Sequence, residues 1–390
     1  MVTLNTADSA LKTYYLDAVK ELLNAQANPL LARIRQSSEN VVGKNVHIPV
    51  CFGVNGGVGA GSETGALPAS AGNHYAHLTV SLKNLFGTLE ISDKAVRSSA
   101  TNEGAFVGLL NAEMEGLVHA SSFNLGRMLF GDGTGKLAEV VSVSGTTVTL
   151  SSVKNIEVGM IVDFLTAAGG TITTARARTV NAVDRVNRTI TVSGAGLSAS
   201  AVPAGCLAVV QGSYNYEITG LGAIFDTSKN IYGLARSENA WLNPYIKTEV
   251  GAIDELVMQT AIDTVEERSG GKVNFIVCSA GVRRAIMKML SEKRSFVNTL
   301  ELDGGVKAIS FNGIPVVADR FCPDGTMYLL NTDDFTLCQL GDWSWMEDEK
   351  GAVLKQVAGK AVYSATLVKY ADLVCVNPAG QAMLTGITEA

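Results

Sequence analysis

Apolar positions at steps of three and four open the chain. Leu11, Tyr15, Ala18, Leu22 and Ala25, with Val19 on the edge, predict a helix from about Ala7 to Gln26. Asn28-Pro29 breaks it, because proline disfavours helical geometry at the residue before it. Leu30, Leu31 and Ile34 follow as a second apolar patch, so residues 1–44 read as an amphipathic arm that needs a partner surface. The period then changes to two. Val46, Ile48, Val50 and Phe52 alternate with His47, Pro49 and Cys51, and Leu78, Val80 and Leu82 repeat the alternation. Pro49 places its strand at an edge or a bulge. Between the two strands lies a glycine-rich run from Gly53 to Gly65 that cannot build a core. Residues 45–93 therefore predict a long β-hairpin with a flexible tip, each arm reaching at most ~65 Å at ~3.3 Å per residue. A two-stranded ribbon is marginal alone in water, so it should lie on something else, which one isolated molecule supplies with difficulty.

A long helix is expected next, from about Glu103 to Phe130, capped by Asn102 or Thr101. At ~1.5 Å per residue it would run ~42 Å. Phe106, Leu109, Leu110, Met114, Leu117 and Val118 form its apolar side. Gly104, Gly108, Ala112, Gly116 and Ala120 recur every four residues and leave a stripe with almost no side chain, which suggests close approach by another backbone. Residues 136–212 then change character. Short β patterns recur at Val140–Val143, Thr147–Leu150, Met160–Leu165, Thr179–Val183, Thr189–Val192 and Leu207–Val210, with turns at Ser144-Gly145 and Asn187-Arg188. They predict a small β-barrel or sandwich. From 248 to 340 the pattern is mixed. Val250, Ile253, Leu256, Val257, Ala261 and Val265 predict a helix ended by Gly270-Gly271. Phe275–Cys278 reads as a buried strand, and Ser279 caps a helix carrying Val282, Ala285, Ile286, Met289 and Leu290. The stretch from Ala352 to Ile387 is mostly β-like.

Composition narrows the possibilities. The 390 residues carry 31 Lys+Arg against 37 Asp+Glu, a formal charge of −6, with 47% apolar and 17% charged residues. That excludes intrinsic disorder and a basic nucleic-acid binder. The island at 136–212 is +2, from six basic and four acidic side chains, and Arg176, Arg178, Arg185 and Arg188 read as a patch or as a solvated face. No apolar run reaches the ~18 residues of a membrane span, and Met1–Ala10 lack the basic start of a signal peptide. The six cysteines show no CxxC pair and read as small buried hydrophobes in a reducing compartment. Forty glycines against eight prolines indicate a loop-rich architecture.

Candidate chemistry is sparse. The alternating Gly57, Gly59 and Gly61 lack the spacing and the following helix of a dinucleotide loop. Gly131-Asp132-Gly133-Thr134-Gly135-Lys136-Leu137 approaches a phosphate loop but begins after Phe130 and has no hydroxyl after Lys136. His74-x-x-His77 lies in extended chain and makes a poor zinc pair; His47 and His119 are the other histidines. There is no Gly-x-Ser-x-Gly elbow. No catalytic, cofactor-binding or metal-ligating residue is assigned, no cofactor is expected, and the chain does not read as an enzyme. The hairpin between Lys44 and Lys83 contains no lysine, so it carries no amine at its tip for covalent joining of subunits.

The order of these elements resembles the major capsid proteins of tailed bacteriophages, an α+β fold called HK97-like. Local echoes are Val273–Cys278 leading into a helix, Phe311-Asn312-Gly313-Ile314-Pro315-Val316-Val317, and the terminal Lys369–Gly380. The resemblance implies an N-terminal arm at 1–44, an extended loop at 45–93 resting on an adjacent subunit, and a spine helix of the peripheral domain within 94–135. It implies further an inserted domain at 136–212 on the shell exterior, a return to the peripheral domain at 213–247, an axial domain at 248–340 and a closing β segment at 341–390. It implies self-assembly into pentamers and hexamers of an icosahedral virion shell, built in the host cytoplasm around double-stranded DNA without sequence-specific binding. A separate scaffolding protein and a portal protein are the further partners implied, and a membrane is not. Mild acidity fits a wall that lets the genome move. Two other readings remain open: an encapsulin-like bacterial nanocompartment shell, and an enzyme with a dispersed active site, whose compact particle would have a radius of gyration of about 21 Å.

Overall fold

The computed structural model describes residues 28–39, 41–94, 103–292, 299–302, 306–347 and 353–390. The helix expected over Ala7 to Gln26 lies outside them. Val362–Cys375, a 14-residue strand, is the spine of a central six-stranded sheet. It pairs antiparallel with Lys83–Ser92 from Val362↔Ser92 to Ala371↔Lys83, and with Phe335–Gln339, which pairs in parallel with Arg35–Ser37. Leu85, Leu89 and Ile91 alternate into the core, while Phe86, Thr88 and Glu90 face out. The helix Glu103–Phe130 lies against this sheet and buries Met114, Val118, Leu125 and Leu129 in the same core. The hairpin expected at 45–93 is thus two objects. Asn45–Phe52 and His74–Ser81 form the ribbon, in continuous antiparallel register from Asn45↔Ser81 to Phe52↔His74. After Leu82 the chain leaves the ribbon and enters the central sheet, because only there do the alternating Leu85, Leu89 and Ile91 find an apolar face.

Residues 136–210 close into a six-stranded barrel, ordered Thr189–Val192, Thr147–Leu150, Lys136–Ser144, Leu207–Val210, Ile161–Leu165, Arg178–Asp184. Val148, Ile156, Val162, Phe164, Val180 and Ile190 fill it, and none of these belongs to the main core. A barrel removes sheet edges, which suits an insertion whose backbone joins the rest of the chain only at its two ends.

The third unit is a seven-stranded mixed sheet. Its order is Tyr245–Lys247, Ala382–Leu384, Met327–Leu330, Phe275–Cys278, Ile314–Ala318, Val306–Phe311, Thr299–Leu302. The central strands are buried on both faces, and the two faces serve different cores. Phe275 and Val277 join the main core; Ile276 and Cys278 face the helices Glu255–Ser269 and Ala280–Glu292. The stretch 248–340 is therefore shared: Phe335–Gln339 lies in the central sheet, while Tyr245–Lys247 and Ala382–Leu384 come in from outside it. The first of these helices begins at Glu255, so Val250 and Ile253 precede it, and Leu256 is exposed on its surface. Ser279 does cap the second, its Oγ accepting from the Val282 amide at 3.3 Å.

Candidate assembly surfaces

The ribbon has a seated base and a free tip. Val46/Val80 and Ile48/Leu78 face inward, and Val46, Leu78 and Val80 are buried in the main core. The Thr79 amide donates to the Tyr232 carbonyl at 3.0 Å, and Phe52 stacks on Trp241 with centroids 5.1 Å apart. The base therefore rests on its own chain, which differs from a ribbon wholly without a home. The tip, residues 53–73, does not. Val54, Val58 and Leu67 are 86%, 88% and 90% exposed. Asn55 organises it locally: its Oδ1 accepts from the Gly57 amide at 2.9 Å, and its Nδ2 donates to Asn73 Oδ1 at 2.9 Å. Glu63 is its single charged side chain.

His74 and His77 fall on opposite faces of their strand, His74 beside Phe52 and His77 opposite Pro49, so they cannot share a ligand. Among the described residues no group of three or more His, Cys, Asp or Glu could hold a metal ion. The run Gly131–Lys136 forms the stalk into the barrel. Asp132 Oδ1 accepts from the Thr134 amide at 3.0 Å, and Gly135 has φ +80° with room for no Cβ beside the Ser213 carbonyl. Gly135 thus serves a close crossing of two chain segments. All six cysteines are free and five are buried; Cys51 on the ribbon is the exposed one. Burial pushes the Cys278 thiol up to about 12.

Side chains that sequence reasoning did not single out hold the barrel in place. Arg127, in the last turn of the long helix, donates to Glu217 on the return from the barrel, at 2.8 Å (Nη1 to Oε2) and 2.6 Å (Nη2 to Oε1), with both side chains buried. Thr219, two residues on, donates from its amide (2.6 Å) and hydroxyl (3.1 Å) to Asp372, whose carboxyl burial raises to about 6. On the far side Lys154 donates to the Cys322 carbonyl (2.6 Å) and to Asp324 (2.5 Å), and Glu157 accepts from Arg320 (2.7 Å) and Arg185 (3.0 Å). The four barrel arginines do not converge: Arg178 is spent on the Ser193 and Ala195 carbonyls, Arg185 on Glu157, and Arg176 and Arg188 stay exposed. A contact such as Arg127–Glu217, 90 residues apart, leaves no local signal in the sequence.

At Gly116 an added Cβ would meet nothing within 4 Å, and Ala120 is exposed, so no backbone approaches the small-residue stripe at these two positions. Close approach occurs at Gly126, which is not one of the stripe residues, where an added Cβ would lie 2.5 Å from the Phe321 ring and 2.8 Å from Asn28.

A helix-backed central sheet, a projecting ribbon, an inserted barrel and a mixed sheet bearing two helices make up the α+β fold of HK97-like capsid proteins. The capsid asymmetric unit of cyanophage A-1(L) shares it with a TM-score of 0.56 at 14% identity, over 93% of this chain and 94% of that one. Residues 207–388 match the family described as SU10 major capsid protein. That match is consistent with a major capsid protein of a tailed phage, and the structural likeness shows the fold. The chain is also similar to the capsid of Myoviridae phage XM1 (TM-score 0.47, 10% identity, 93% and 92% covered) and to the SrpI encapsulin of Synechococcus elongatus PCC 7942 (0.46, 10%, 95% and 95%), both too distant to bear on the reading. Comparison with curated proteins finds no match.

Proposed function

We propose that this chain assembles with its own copies, by non-covalent contact, into the pentamers and hexamers of an icosahedral phage head around double-stranded DNA. The observation that carries the reading is the ribbon tip: three large apolar side chains stand in solvent on a segment with almost no charge, within a fold shared with a phage capsid subunit. In this reading 1–44 is the arm and 45–93 the extended loop, with the tip resting on an adjacent subunit. Residues 94–135 hold the spine helix, and 213–247 continue its peripheral domain. Residues 248–340 form most of the axial domain near the local symmetry axes, 341–390 close the fold, and the barrel at 136–212 stands on the exterior. The absence of lysine from residues 45–81 favours non-covalent joining over a lysine–asparagine cross-link. A separate scaffolding protein and a portal complete assembly in the host cytoplasm, and a net charge of −6 suits a wall that holds DNA weakly and without sequence preference. The chain acts as a structural protein and not as an enzyme.

Negative-stain imaging of the expressed protein, with and without the phage's other head proteins, tests this. Closed shells with fivefold and sixfold units are expected. Discrete monomers under every condition would refute it, and shells filled with a cargo enzyme in place of DNA would favour a nanocompartment.

A further inference from the structure

The chain contains Asn-Gly at two places, Asn55-Gly56 and Asn312-Gly313, and the fold treats them differently. The reaction open to such a dipeptide is ring closure, in which the glycine nitrogen attacks the asparagine Cγ and a five-membered succinimide forms. Glycine favours it because no side chain hinders the rotation that brings its nitrogen onto Cγ. The closed ring holds Cβ and the glycine nitrogen eclipsed about the asparagine Cα–C bond. At Asn312 the backbone forbids this. Asn312 and Gly313 have φ of +50° and +82° and form the two-residue turn between Val306–Phe311 and Ile314–Ala318, closed by the Phe311↔Ile314 pair. A left-handed backbone turns the glycine nitrogen out of eclipse with Cβ. The Asn312 side chain is also held, its Nδ2 donating to Gln259 Oε1 at 2.6 Å.

At Asn55 nothing forbids it. The residue is exposed in the ribbon tip, and its backbone lies outside the left-handed region. The Gly56 amide has no acceptor among the described residues, so its nitrogen is free to attack. The Gly57 amide donates to Asn55 Oδ1 at 2.9 Å, the oxygen on which negative charge develops as Cγ is attacked. We infer that Asn55-Gly56 is a self-modification site of the free subunit. The Gly56 N–Cγ bond forms, the Cγ–Nδ2 bond breaks, and the Gly56 amide proton leaves with the side-chain nitrogen as ammonia. Water then opens the ring to aspartate or isoaspartate. Either product removes the Nδ2 donor to Asn73 Oδ1 and adds a second negative charge to a tip whose single charged side chain is Glu63. Isoaspartate also adds a methylene to the main chain beside the turn that Gly57 closes. The consequence for assembly rests on the proposed function: the altered tip joins an adjacent subunit poorly, and a tip already seated on one is shielded from the reaction.

Peptide mapping of the full chain by mass spectrometry tests this, with an isoaspartyl methyltransferase as the probe for isoaspartate. Held at mildly alkaline pH, the native subunit should convert Asn55 about tenfold or more faster than Asn312. In denaturant the two should convert at comparable rates, because only the fold separates them. Gly56→Ala should slow Asn55 by about tenfold or more in either state. Equal native rates at the two asparagines, a native excess that persists in denaturant, or a Gly56→Ala chain that converts as fast as the parent would each overturn the inference. The link to assembly is read separately. Shells, dissociated and mapped, should show less conversion at Asn55 than free subunits aged beside them, and Asn55→Asp subunits should yield fewer shells than the parent. Equal conversion in shells and free subunits, or equal yields, overturns that link and leaves the ring closure standing. Failure of the unmodified chain to form shells refutes the proposed function itself.

Discussion

Replacing Glu217 by Gln should be among the most damaging single-atom-scale changes the subunit can suffer. The carboxylate takes two charge-assisted bonds from Arg127, at 2.8 and 2.6 Å, and the two side chains are 2% and 3% exposed. Removing the negative charge leaves a buried guanidinium held, among the described residues, by Asn124 Oδ1 at 3.3 Å, its Nε having no partner among them. Breaking one half of a buried pair costs about 3–5 kcal/mol. Unfolding entropy near ~2.1 cal/mol/K per residue gives roughly 0.8 kcal/mol/K if the whole chain melts as one unit, so the midpoint should fall by about 4–6 °C. Calorimetry on the unassembled subunit measures this directly. The double change Arg127→Met with Glu217→Met removes both charges and should recover to within about 1–2 kcal/mol of the parent, since burying a pair costs nearly what its attraction returns. A Glu217→Gln midpoint within 1 °C of the parent, or a double variant as unstable as both single changes added together, would refute the reasoning. Because the pair joins the end of the helix to the barrel's exit strand, the single variant should also become cleavable by protease at the stalk, residues 131–135 and 211–217.

Three further outcomes are expected. Asp372 has a folded carboxyl pKa of about 6 against 3.8 when free, caused first by burial and opposed by the Thr219 and Leu373 amides; the native state thus holds its proton more tightly than the unfolded chain, and this group's contribution falls as pH rises from about 4 to 6. Asp372→Asn should therefore gain on the parent across that window by up to about 3 kcal/mol and gain nothing more above it, as read from denaturant midpoints at each pH, and a gap independent of pH would contradict the assignment. Gly126→Ala should destabilise by about 1–3 kcal/mol through its clash with Phe321, whereas Gly116→Ala, in open space, should stabilise the monomer by up to about 1 kcal/mol; equal midpoints for the two variants would show the helix packs otherwise. Residues 136–212 expressed alone should unfold cooperatively, because Phe164, Ile156 and Val148 form a core separate from the rest, and a featureless thermal trace would contradict that separation.

Local periodicity made much of this molecule legible. The helix Glu103–Phe130, the ribbon strands, the six short barrel strands and the buried strand Phe275–Cys278 all follow from spacing alone, since the side-chain period differs between helix and strand. The glycine-rich tip, with Glu63 its single charge, was equally plain, because its composition cannot build a core. Three things were decided only by tertiary structure. Lys83–Ser92 looks like a continuation of the ribbon, and it becomes a central strand because Val362–Cys375, some 280 positions later, offers it ten registered partners. The small-residue stripe suggests close approach by another backbone, yet nothing arrives over Gly116, and Phe321 arrives instead over Gly126, outside the stripe. The ion pair Arg127–Glu217 and the Thr219–Asp372 contacts join residues at least 90 positions apart. Periodicity reports which face of an element is apolar; it carries no information about which distant element covers that face, and in this chain the covering elements and the buried Arg127–Glu217 pair fix where the barrel stands.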